Sequence, residues 1–147
     1  MMKLFQNWNP AKAHSAIILI RFMVGSVFFS EGIQKFLFLD ALGVGRFIKI
    51  GIPAPEILAP FVGVVEIVFG FLLLIGLFTR LATIPLIINM LVAIVSTKIP
   101  ILLTSGFWKM THEARTDFCM LLGSLFLLIA GSGNWSLDYY WFKKRTK

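Results

Sequence analysis

Three charged residues, Arg21, Glu31 and Lys35, stand inside the apolar run RFMVGSVFFSEGIQK at positions 21–35. A fourth, Glu66, stands in FVGVVEIVFGFLLL at 61–74, with no basic residue three or four positions away. Asn89 interrupts a third apolar run, and Arg115 stands at the head of another. A charge at mid-membrane costs about 2.5–3.5 kcal/mol on insertion scales. Such residues therefore either handle a ligand or protons, or form a network that fixes helix register. Glu31 and Lys35 lie one helical turn apart on one face, with the acid on the N-terminal side, and are expected to pair. Arg21 is expected to snorkel toward the nearer membrane surface. By helical rise Glu66 falls within about 5 Å of Glu31 in depth. Two carboxylates at one level in low dielectric cannot both ionise cheaply unless a cation reaches them. Either Lys35 or Arg115 is that cation or one carboxyl is protonated, and Asn89 is placed to join. The expected site is thus a polar cluster of Glu31, Lys35, Glu66, Arg115 and Asn89 in the outer half of a helix bundle. It is a candidate ligand-binding site. No catalytic residue is assigned.

The elements that must position these residues follow from hydropathy. Of 147 residues, 58% are hydrophobic and only 14% charged, where a soluble domain is nearer a quarter charged. With a mean hydropathy of +0.86, the chain reads as one all-α, polytopic membrane domain. Spans are expected at about 16–38, 56–78, 81–97 and 113–130, which makes a four-transmembrane-helix bundle. The 79–80 turn is so short that the second and third spans must be antiparallel neighbours. Lys98 and Pro100 are expected to close the third span. Residues 39–55 form a connection whose ALGVGRFIKIG stretch suits a short interfacial element. Residues 99–112 read as a second interfacial loop. Residues 139–147 form an aromatic and basic tail: Tyr139, Tyr140, Trp141 and Phe142 make a belt, with Lys143, Lys144, Arg145 and Lys147 beyond it. Trp8 is a candidate anchor at the other terminus. Four spans put both termini and Arg80 on one side, and the positive-inside rule favours the cytoplasm for it.

Other chemistry is poorly represented. His14 and His112 are too few and too far apart for a histidine metal site, and HEARTD at 112–117 reads as a solvated helix start. No metal site is expected. The single cysteine, Cys119, permits no internal disulfide and reads as a small buried hydrophobe. GVGRF lacks the strand and helix of a nucleotide loop. The net charge of +7 fits topology and anionic lipid rather than nucleic acid. Gly25 and Gly32, and likewise Gly63 and Gly70, are seven apart and permit close helix contact.

The elements GIQKF (32–36), GIP (51–53), Glu66 followed by GFLLLIGLFTR (70–80), and GSGNWSLD (131–138) occur in that order across nearly the whole chain. In that order they resemble the DoxX family of small bacterial membrane proteins. The resemblance implies a four-helix membrane bundle. It also implies a place beside redox enzymes, since the family is named for a subunit linked to thiosulfate oxidation with quinone as acceptor. Other members look like partners of thiol-redox and oxidative-stress enzymes. Lys35, Glu66, Arg80, Gly131, Ser136 and Asp138 fall on recurrent positions of the pattern. The lone Cys119 departs from thiol-active relatives, which use cysteine pairs. The expected function is a membrane subunit or accessory of a quinone- or thiol-linked pathway, with a quinone or other small apolar ligand at the charged cluster. The expectation is an oxidoreductase subunit rather than a stand-alone enzyme, with redox-enzyme partner subunits or a second copy of the chain as candidate partners. The alternatives are a structural or assembly protein whose cluster only sets register, and a small transporter.

Overall fold

A computed structural model of the chain describes the backbone of residues 10–145 and the side chains of 15–141. Trp8, Lys3 and Lys147 lie outside the described residues, as do the side chains of Lys12, Phe142, Lys143, Lys144 and Arg145. The described chain is all-α: α1 (Pro10–Leu37), α2 (Val44–Lys49), α3 (Pro55–Ile75), α4 (Thr79–Ser105), α5 (Phe107–Ala130) and α6 (Leu137–Arg145).

Local chemistry sets the ends. Helix α3 starts with Pro55 at its first position and Glu56 in its first turn, where a missing N–H is harmless and a carboxylate meets the positive end of the helix. It stops at Gly76, whose φ of 69° is left-handed. There the N–H of Gly76 donates to Leu73 and that of Leu77 to Leu72, which satisfies the last carbonyls. Helix α4 does not close at Lys98 and Pro100 but runs on to Ser105. Proline forfeits one internal hydrogen bond, a loss that helices in lipid tolerate. Helix α5 begins one residue later, after Gly106 at φ 83°. Residues 99–112 are therefore helical apart from Gly106, not a loop, and the α4–α5 turn is a single glycine.

Among the described residues three stretches are long and apolar enough to cross a membrane: Ser15–Leu37, Pro55–Ile75 and Thr79–Ser105. Helix α5 has 24 residues, but Lys109, His112, Glu113, Arg115 and Asp117 crowd its first half, which keeps it out of that class. Every long helix carries large exposed apolar side chains, among them Leu19, Phe22, Phe61, Ile88, Leu103 and Ile129. Such a surface suits lipid.

The long helices pack as two pairs, α1 against α3 and α4 against α5, with slighter contact between the pairs. Glycines set the first pair. A Cβ added at Gly32 would stand 2.7 Å from the Gly63 carbonyl oxygen, and one at Gly25 would stand 3.0 Å from that of Gly70. The two glycine pairs thus face one another in antiparallel register, and the close helix contact that their spacing permits is made. The core between the pairs is built from Val24, Phe28, Leu73, Leu86 and Leu127. The second pair is antiparallel too: Arg80, at the start of α4, donates to the Ile129 carbonyl at the end of α5, and Lys98 pairs with Asp117 toward the opposite end.

Candidate functional site

Glu66 is the centre of the expected cluster. It is buried, with 3% of its surface exposed. Lys35 Nζ donates to its Oε2 at 2.5 Å, and Asn89 Nδ2 donates to its Oε1 at 2.6 Å. One carboxylate thus joins α1, α3 and α4 through a charge-assisted pair and an amide. The glycine contact explains the reach. Lys35 stands three positions past Gly32 on α1, and Glu66 three positions past Gly63 on the antiparallel α3. Helical side chains lean toward their own N-terminus, so the two lean toward each other across a narrow gap.

Two expectations fail here. Lys35 pairs with Glu66 rather than Glu31, and Glu31 is exposed and makes no ion pair among the described residues. Arg115 does not enter the cluster. It lies on the exposed face of α5, with Nη1 2.9 Å from His112 Nε2, one turn away. Depth alone placed it in the cluster. Its position around the helix excludes it, and Asp117, two positions on, faces inward instead.

A cavity of about 640 Å³ opens beside the cluster, between the two helix pairs. Its volume is in the range of small-molecule sites. Phe28, Phe47, Val65, Ile88 and Met120 are among its mostly apolar walls, while Glu31, Lys35, Glu66 and Asn89 all reach it. Within the 39–55 connection, α2 folds over the mouth: Phe47 is buried, and Arg46 and Ile50 line the cavity. Four of the five expected residues are therefore brought together. Arg46, Ser96, Thr97, Thr116 and Asp117 also line the cavity and were missed. Lys98 stands behind Asp117, 2.9 Å from its Oδ2. Cys119 is exposed rather than buried. Among the described residues no three His, Cys, Asp or Glu side chains gather as metal ligands.

A second polar cluster lies at the far end, where α3 turns into α4. Arg21 does not snorkel. It is buried and donates from Nη1 to the Ser132 carbonyl at 2.7 Å and from Nη2 to the Trp135 carbonyl at 2.6 Å. Asp138 accepts from the backbone N–H of Phe78 at 2.8 Å and of Thr79 at 3.1 Å, which supplies the N-terminal cap that α4 lacks otherwise. It also steadies Phe78, a non-glycine residue held at φ 50°. Ser136 accepts from the N–H of Tyr139 at 3.0 Å. A Cβ at Gly76 would run into the Arg21 guanidinium. Asp138 thus ties the GSGNWSLD segment to the α3–α4 turn, its own N–H donating to the Gly76 carbonyl at 3.0 Å, and Gly131 lies under Arg80.

The comparisons agree with the sequence pattern. An uncharacterized membrane protein of Mycobacterium tuberculosis, Rv3486, is 53% identical over 142 residues, covering 92% of this chain and 87% of that one. A Bacillus subtilis protein printed as "Putative oxidoreductase CatD" is 29% identical over 126 residues, covering 86% of this chain and 87% of that one. No solved structure matches the chain significantly. The DoxX family profile matches residues 16–99, more than half of the chain, and includes Glu31, Lys35, Glu66 and Asn89. The chain belongs to the DoxX family of membrane proteins.

Proposed function

We propose that this protein is a membrane subunit of a bacterial redox pathway that holds a quinone-class ligand in the cavity beside Lys35, Glu66 and Asn89. The observation that carries the reading is the placing of one charged, three-helix cluster on the wall of a mostly apolar cavity of ligand size. The name of the Bacillus subtilis relative, an oxidoreductase, points the same way. A bound quinone would accept electrons from a partner enzyme and protons from its surroundings. Lys35 uses one N–H on Glu66 and keeps two, so it can hold and polarise a ligand carbonyl oxygen. Asn89 fixes the other oxygen of Glu66 and keeps one N–H and its carbonyl for the ligand. The exposed Glu31 stands at the cavity wall as the route by which protons reach the cluster from water. Among the described residues there is one cysteine, Cys119, so the electrons are assigned to a partner and not to a dithiol of this chain.

In this reading α5 crosses the membrane as a fourth span, since it runs antiparallel to α4 along its length. Both termini then lie on the cytoplasmic side of the inner membrane, and the cavity opens in the opposite half. Purification with native lipid, followed by extraction and mass spectrometry, tests the assignment. Stoichiometric isoprenoid quinone in the wild type, lost in Glu66→Gln, is the expected result. Equal traces in both would mark bulk lipid and remove the quinone assignment. A second reading has its own support. Both oxygens of Glu66 are already occupied by protein donors, as in a device that fixes helix register. On that reading Glu66→Gln lowers stability and changes no ligand content.

A further inference from the structure

The cavity is polar at two heights. One polar end is the cluster of Lys35, Glu66 and Asn89. The other is Asp117 with Thr116 on α5 and Ser96 with Thr97 on α4. Asn89 and Thr97 both line the cavity and differ in depth by about 12 Å by helical rise. Between them the wall is apolar, with Val92, Ala93 and Met120.

The two ends differ in what they can donate. The deep end has spare N–H donors on Lys35 and Asn89, beside the Asn89 carbonyl and the Glu31 carboxylate. The other end has acceptors. Asp117 gives Oδ2 to Lys98, while its Oδ1 makes no hydrogen bond to the described residues. The hydroxyls of Ser96 and Thr97 spend their protons on the Val92 and Ala93 carbonyls, at 2.7 and 2.6 Å, so toward the cavity they present lone pairs. Among the described residues Lys98 is the most buried lysine, 9% exposed, and its ammonium stands 2.9 Å from Asp117 Oδ2. A pair serving only to clasp α4 to α5 has no need to leave a carboxylate oxygen on the wall of a ligand cavity.

We propose that the cavity takes an elongated amphiphile that is polar at both ends: a hydrogen-bond-accepting head at Lys35 and Asn89, and a hydrogen-bond donor, a hydroxyl or an amine, at Asp117. Lys98 is the positioning residue for Asp117. The proposal rests on the ligand reading above and specifies its chemical class.

A matched pair of probes separates the two claims. Decylubiquinone and its analogue with a hydroxyl at the end of the ten-carbon tail, idebenone, share one head and differ only at the far end. Binding of each to the purified protein in detergent is measured by isothermal titration calorimetry. Idebenone is expected to bind about 10-fold more tightly, the size of one hydrogen bond to a charged acceptor in net terms. In the double variant Lys98→Met with Asp117→Leu, which removes both charges and leaves none unpaired, that ratio should collapse toward unity while decylubiquinone binding persists. Partition of the probes into detergent is common to both proteins and cancels in the comparison. Equal binding of the two probes to the wild type, or an unchanged ratio in the double variant, overturns this proposal and leaves the quinone reading standing. Binding of neither probe overturns both.

Discussion

The Lys35–Glu66 pair lends itself to a double-mutant cycle whose outcome the geometry dictates. Lys35→Met leaves Glu66, 3% exposed, with Asn89 as its remaining partner. Breaking a buried pair in this way costs about 3–5 kcal/mol. Glu66→Leu is expected to cost less, about 2–3 kcal/mol, because Lys35 sits near the end of α1 and its long stem can carry the ammonium toward water. The double variant leaves neither charge buried and unpaired. Its residual cost is the Asn89 amide, which loses its carboxylate, at about 1–3 kcal/mol. The sum of the single costs thus exceeds the double cost by about 2–7 kcal/mol, the coupling energy of the cycle. Unfolding by titration with SDS from mixed micelles, followed by tryptophan fluorescence, measures each corner. Additivity within about 0.5 kcal/mol would refute the pairing, and with it the claim that Glu66 is the point where three helices meet.

Other residues give sharper single readouts. Gly32→Ala drives a methyl toward the Gly63 carbonyl oxygen at 2.7 Å, against 3.0 Å for Gly25→Ala toward Gly70. Gly32→Ala should therefore lose about 1–3 kcal/mol and more than Gly25→Ala, a ranking that thermal aggregation curves in detergent can check. Asp138→Ala removes the acceptor for the Phe78 and Thr79 N–H groups and should lower stability by about 1–2 kcal/mol, with Asp138→Asn intermediate in the same melts. Arg115→Gln should change stability by no more than about 0.5 kcal/mol and leave the ligand content of the purified protein untouched. A chain with Cys119→Ser and Lys147→Cys should resist a membrane-impermeant maleimide in intact cells and react once they are opened. Labelling of intact cells would reverse the proposed orientation.

Helix existence was legible because runs of twenty apolar residues have few other fates. The glycine faces were legible as well, as sites of close helix contact, though not which helix meets which or in what register. Rotation was not. Helices that are apolar on nearly every side carry little record of which face turns inward. That is why Arg115 was placed by depth and Asp117 was overlooked. A solvated reading of HEARTD at 112–117 holds for Arg115 and His112, and fails for Asp117 because Lys98 waits for it on α4. Arg21 was legible as unusual, but its partners are backbone carbonyls of residues 132 and 135, and a carbonyl leaves no trace in a sequence. The motif GSGNWSLD was the available signal: its glycines and its Asp138 have work to do only if that segment folds back on something.

The contacts of that segment also impose an order on biosynthesis. Arg21 leaves the ribosome early, and the carbonyls that receive it, at Ser132 and Trp135, emerge only after all the long helices. Until then the first span holds a guanidinium without its acceptors, and the Phe78 and Thr79 N–H groups wait for Asp138. A nascent chain stalled before residue 132 is consequently a membrane protein with an uncompensated cation near its first helix. Closure of the bundle around Arg21 and the α3–α4 turn therefore has to wait until residues 132–138 have been made.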